Sequence, residues 1–306
     1  MMATATPAST EHFRLGEGPV WDGARQRLLW VDIEGGVVLE GVLDDRDITV
    51  TDRIQFHSMV GAVAAAADGT LLVAAQEHLV VQHPDGTRVD GPRVVPAGES
   101  RRLNDAGTDP AGRFLVGTLS LAGPSEREVL VRLEPDGRLT VLDDDLRLSN
   151  GLAWSSDGRR MFSVDTLRRT VSVRDYDVVS GAVGPRRVHL RLEDGFPDGI
   201  ATDAADHLWV AVWGGGEVRR YAPDGTVVDR VATGAPHTSS VAFAGDDLHM
   251  LVITTATSEL SDEQLRAYPD SGRLFTTRVD VPGLPVAPWQ GLARGGVVQV
   301  DATASG

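Results

Sequence analysis

Residues 148–166 read LSNGLAWSSDGRRMFSVDT, and the same pattern returns three more times along the chain. A polar residue opens a short alternating run, a tight turn follows, and then an apolar strand. Residues 15–33 read LGEGPVWDGARQRLLWVDI, residues 102–119 RLNDAGTDPAGRFLVGTL, and residues 196–213 FPDGIATDAADHLWVAVW. Glu17, Asn104, Asn150 and Asp198 open these runs, each ten or eleven residues ahead of its apolar strand.

Aligning the apolar strands extends the repeat to six units. RLLWVDI, TLLVAAQ, RFLVGTL, RMFSVDT, HLWVAVW and LHMLVIT begin near Arg27, Thr70, Arg113, Arg160, His207 and Leu248. A spacing of about 40–48 residues is that of a four-stranded propeller blade. A third strand follows each, and Pro-Asp-Gly at 84–86, 135–137 and 223–225 supplies tight-turn chemistry between strands. Fourth strands such as RLTVLDD and RRVHLRL carry a weaker apolar signal, as outer strands facing solvent should. Helical periodicity is confined to a capped turn or two over Ser261–Ala267. The expected class is all-β, a six-bladed β-propeller forming one domain over residues 1–306, with 1–10 as a flexible N-terminal tail. The last unit lacks a fourth strand of its own. HFRLG from His12 and VVQV from Val297 are the competing candidates to close the ring.

The bulk properties exclude several classes. A net charge of −15 argues against nucleic acid and anionic membranes as partners. No cysteine is present, so thiolate metal sites, disulfides and a thiol nucleophile are ruled out. Neither a signal-peptide pattern nor a long apolar run stands in the sequence, and a cytoplasmic protein is expected. Oligomeric state is left open.

In a propeller the first strand of each blade lines the central channel. Residues in one phase of the repeat therefore meet at one level around the axis. Glu17, Asn104, Asn150 and Asp198 come together there, while the other two units place Val60-Gly61 and Thr238-Ser239 at that level. Taken singly, Asn150-Gly151 and Asp198-Gly199 would read as turns; the shared phase argues for a cluster. Two carboxylates and two amide carbonyls are hard oxygen donors. They suit one divalent metal ion, Ca²⁺ first, with Mn²⁺, Mg²⁺ and Zn²⁺ also admissible. Such an ion would polarise a substrate carbonyl, with Asp198, or Glu17, as base toward water.

The four strings, with SVAFAGDDLHMLVITTATSELSDEQL at 240–265, resemble the regucalcin / senescence marker protein / gluconolactonase family over nearly the whole chain. The resemblance implies a six-bladed propeller with one divalent metal in the channel, and a lactonase that opens sugar lactones to aldonic acids. It also implies Glu17, Asn150 and Asp198 as metal ligands, Asp198 as catalytic base, and Arg102 and Asn104 as substrate-binding residues. Animal members carry an acidic substrate contact where this chain has Ala122, so the sugar read by the site is expected to differ. Two alternatives stand beside this reading. One is a non-catalytic calcium- or carbohydrate-binding propeller, the other a metal-dependent hydrolase of other esters or lactones.

Overall fold

A computed structural model describes residues 3–293 as six antiparallel sheets set around an axis. In each sheet the strands follow chain order from the inside outward, except that two sheets take an N-terminal strand as their outermost member. The innermost strands are Gly16–Asp22, Val60–Ala65, Arg101–Thr108, Ser149–Trp154, Phe196–Thr202 and Thr238–Ala244. They touch one another around the ring, which makes this a six-bladed propeller, as the repeat predicts.

Strand side chains alternate between the two faces of a sheet, so each blade buries one face on each neighbour. Six apolar clusters result, one in each gap between adjacent blades. In one of them Ala62 and Ala64 come from an innermost strand, Leu72 and Phe114 from second strands, and Val131 from a third strand. Trp30 and Trp209 on second strands are fully buried. The Pro-Asp-Gly turns form as expected, with Gly86, Gly137 and Gly225 at φ of 88, 86 and 88°. The helix over Asp262–Ala267 starts at a capping box on Ser261.

The ring closes through the N-terminal segment, at a place other than the one anticipated. Thr6 and Pro7 pair antiparallel with Thr276 and Phe275 as the outer strand of the last blade. Ala3 and Thr4 then run parallel to Val231 and Ala232 on the preceding blade. A proline is tolerated here because an edge strand needs no inward N–H. The stretch expected as a flexible tail, residues 1–10, is in its described part paired to two blades. HFRLG is not that strand. Phe13 instead packs edge-on against Trp30, with centroids 5.7 Å apart, and Leu15 bridges Ala256. The other candidate, VVQV, lies outside the described residues.

After Val279 the chain crosses the end of the ring where the inner strands finish. Gly283 bridges Asp203, the Thr108 hydroxyl donates to Ala287 O at 2.6 Å, and Trp289 bridges Ala66. Under this strap lies a channel cavity of about 690 Å³, lined by Ala64, Gly107, Leu152 and Ile200 among others. The opposite mouth is where the inner strands begin. No helix among the described residues is long and apolar enough to cross a membrane.

Candidate functional site

A bulge interrupts every inner strand just after its start. Pairing shifts between Glu17 and Val20, Val60 and Ala62, Leu103 and Ala106, Asn150 and Leu152, Pro197 and Ile200, and Thr238 and Ser240. A bulge bends the strand and re-aims the side chain it carries. Glu17, Asn104, Asn150 and Asp198 all stand at these bulges, inside strands and not in turns, and all are buried. Glycine follows three of them: Gly18 takes a left-handed φ of 52°, and at Gly151 and Gly199 the neighbouring blade is in the way. A Cβ on Gly151 would lie 2.5 Å from the Asp198 carbonyl oxygen, and one on Gly199 2.0 Å from Ser240 Oγ. We expect Gly151→Ala to displace Asp198 and to lower stability by about 1–3 kcal/mol, the usual effect of overpacking. Denaturant unfolding at constant m-value checks this.

The amides are held differently. Asn150 Nδ2 donates to Thr166 Oγ1 at 3.2 Å, and that hydroxyl donates to Pro197 O at 2.9 Å. The relay turns Asn150 Oδ1 away from the strand, where it is buried without a partner; Asp198 Oδ1 is buried without a partner too. Asn104, by contrast, is engaged at both ends. Its Oδ1 accepts from Arg102 Nη1 at 2.6 Å and its Nδ2 donates to Ser149 O at 2.8 Å. Of the two amides, only Asn150 has a free carbonyl oxygen. At the corresponding level in the last blade, Ser239 Oγ donates to Gly16 O at 2.6 Å, a purely structural contact.

Electrostatics set the cluster apart. Burial, then Asp198 and Asp105, push the Glu17 carboxyl well above its usual range; the Gly18 amide and Arg102 oppose this. Burial and then Asp105 push Asp198 well up, against Asn150 and Arg102. Burial raises Asp105 to about 6, and lowers Arg102 to about 10 against the attraction of Glu17, Asp198 and Glu34. Three buried carboxyls, Glu17, Asp105 and Asp198, thus stand together, and the Arg102 guanidinium attracts Glu17 and Asp198. Fully ionised, the three would exceed Arg102 by two negative charges, which a divalent cation would neutralise. No three His, Asp or Glu side chains among the described residues converge as ligands, so an amide must complete any ligand set. Of the amides in the cluster, Asn150 is the one whose oxygen is left free.

Sequence reasoning passed over Asp105, Thr166 and Glu34. Asp105 was legible as an aspartate where four other units of the repeat put glycine and the last puts Ser239. Thr166 and Glu34 carried no signal, because they sit in loops that only folding brings to the mouth. Glu34 accepts from Ser258 Oγ at 2.5 Å and pairs with Arg14 at 2.9 Å. Beside it the Trp213 and His237 rings stack 4.0 Å apart. Ala122 is exposed at the end of the strand Phe114–Ser120 and offers no carboxylate.

A closed propeller with an asymmetric, oxygen-rich cluster at one mouth is the class that fold and site define. The chain belongs to the SMP-30/gluconolactonase/LRE-like family, whose profile matches residues 15–257. It is 36% identical over 255 residues to pentonolactonase XacC of Haloferax volcanii, covering 83% of this chain and 85% of that protein. Likewise it is 36% identical over 273 residues to 6-deoxy-6-sulfogluconolactonase of Pseudomonas putida, covering 88% and 92%. Among solved structures it superposes on regucalcin, a calcium-binding protein of Agrobacterium tumefaciens, with a TM-score of 0.88 at 26% identity, covering 95% and 99%.

Proposed function

We propose that this protein is a divalent-metal-dependent lactonase that opens the ester ring of a sugar lactone to the aldonic acid. The observation that carries the reading is the pair of partnerless buried oxygens, Asn150 Oδ1 and Asp198 Oδ1, beside a Glu17 carboxylate in a cluster with excess negative charge. Buried polar atoms are ordinarily satisfied, so such a group points to a missing partner of positive charge. Oxygen donors suit Ca²⁺, Mn²⁺ or Mg²⁺, and a carboxylate pair also admits Zn²⁺. When bound, the ion supplies Lewis-acid polarisation of the lactone carbonyl. Lactone-hydrolysing relatives at 36% identity support the reaction class.

The chain's own residues do the rest. Asp198 takes a proton from water as its oxygen bonds to the carbonyl carbon. The same carboxyl then returns a proton to the ring oxygen as the ester C–O bond breaks, leaving a hydroxyl and a carboxylic acid. Arg102, braced by the Leu103 carbonyl at 3.0 Å and by Asn104, donates hydrogen bonds to the substrate's oxygens. Burial leaves its guanidinium protonated at neutral pH and strengthens each bond it makes. With Ala122 in place of a carboxylate, that wall makes no acidic contact to a sugar hydroxyl.

We expect Arg102→Ala to raise KM by about tenfold to a hundredfold, the worth of one or two charge-assisted hydrogen bonds. Cation binding should persist, since the variant removes a positive charge from the centre. Wild-type KM on the best substrate would take Arg102 out of the site. The decisive assay is acid release from a panel of aldonolactones, followed with a pH indicator in weak buffer, with and without chelator. If no lactone opens faster than spontaneously with cation-loaded protein, the lactonase reading fails and a binding propeller replaces it.

A further inference from the structure

The most unusual side chain in the channel is Asp105. At this step of the bulge, Gly18, Gly61, Gly151 and Gly199 stand in four other blades. Cβ atoms on the last three would come within 2.6 Å of the next blade's atoms, so those three blades leave no room for a side chain, and the last blade holds the small Ser239 there. In the blade of Asn104 there is room, and an aspartate fills it. Its Oδ1 lies 3.9 Å from where a Cβ on Gly18 would stand, beside Glu17.

What is absent around Asp105 matters as much. Asp32, Asp109, Glu128, Asp165, Asp203 and Glu217 are also buried, and each accepts at least two hydrogen bonds from amides or side chains. Asp105 accepts one, from the Ala106 amide at 2.8 Å. Among the described residues it forms no ion pair within 4.0 Å, although it repels the charges on Glu17 and Asp198. A buried carboxylate left this way is unfavourable unless a positive charge arrives. Asp105 Oδ1 is already taken by the Ala106 amide, so Asp105 is assigned a place beside the set of Glu17, Asn150 and Asp198 and not within it.

We propose that Asp105 is a positioning residue of the cation centre, holding negative charge beneath Glu17 and Asp198 so that a divalent ion is drawn in without being touched. This rests on the metal reading above. It has a consequence that a merely structural aspartate lacks: affinity for the ion and stability of the ion-free fold change in opposite directions when the charge is removed.

The test is Asp105→Asn, which keeps the shape and the acceptor for the Ala106 amide. Asp105→Gly, the repeat's own residue, is the second variant should the first fold poorly. Mn²⁺ and Ca²⁺ affinities are measured by titration calorimetry, and melting temperatures in chelator. We expect affinity to fall by about tenfold to a hundredfold, as when groups behind a ligand shell are lost. The chelated variant should melt above the chelated wild type. Asp109→Asn serves as control, since Asp109 is held by Arg113 and by Tyr176 at 2.5 Å. It should lower both melting temperatures and leave affinity unchanged. Unchanged affinity in both Asp105 variants, or a lower melting temperature of both in chelator, would overturn the proposal alone. Wild-type protein that binds neither cation would overturn the metal reading, and this one with it.

Discussion

Asp198→Asn should yield a folded protein that still binds a divalent cation but turns over its best lactone about 10²–10⁴-fold more slowly, the range a positioned general base contributes. The amide is isosteric and keeps a carbonyl oxygen toward the centre, so loss of ligation alone does not account for a drop of that size. What disappears is the capacity to accept a proton from water. The bulge that aims Asp198 is flanked by Gly199 and by Gly151 from the neighbouring blade, which hold the backbone in place whichever group it carries. Cation content is measured alongside turnover. A variant that binds the cation and stays within about tenfold of wild type would take the role of base away from Asp198.

The second large effect is removal of the cation. Glu17, Asn150 and Asp198 come from three separate blades, so an ion held between them cross-links the ring. At a free concentration one hundred times Kd, binding stabilises by about 2.7 kcal/mol, enough to shift the melting temperature by several degrees. Chelation should reverse that shift and abolish turnover together. Acidity should act with opposite sign on the two forms. In the ion-free protein Glu17, Asp105 and Asp198 have folded-state pKa values above their unfolded ones. Their stabilising contribution is complete below the unfolded values near 4 and is lost as pH rises through the folded values, about 6 for Asp105. Chelated protein should therefore gain stability between pH 7 and pH 5. Cation-loaded protein should lose its advantage over the same window, because ligands must be deprotonated to bind. Melting curves at both pH values, with and without chelator, check this; parallel behaviour of the two forms would contradict it.

Much of the site was legible in the sequence because a propeller converts repeat phase into position around an axis. Glu17, Asn104, Asn150 and Asp198 share a phase, and folding brings them to one mouth. The two asparagines were not separable that way. Both are amides at equivalent places, and their difference comes from neighbours on other blades. Ser149 O and Arg102 engage both ends of Asn104, while Thr166 engages only the nitrogen of Asn150 and leaves its oxygen free.

Ring closure shows the same boundary. A missing fourth strand in the last blade could be counted from the repeats, yet the strand that supplies it could not be named. Thr6-Pro7 has no alternating pattern, and its pairing with Phe275–Thr276 is selected by the open edge of the last blade. The strap after Val279 is likewise fixed by tertiary contacts, with Trp289 buried between blades and its amide on Ala65 O at 2.8 Å. Periodicity in the chain determined the number of blades, the order of strands and the level at which polar side chains meet. Orientation of those side chains, the fate of each hydrogen-bond donor and the excess charge at the centre were decided in three dimensions. These depend on atoms tens of residues apart in sequence, and strand pattern does not encode which of them come within reach.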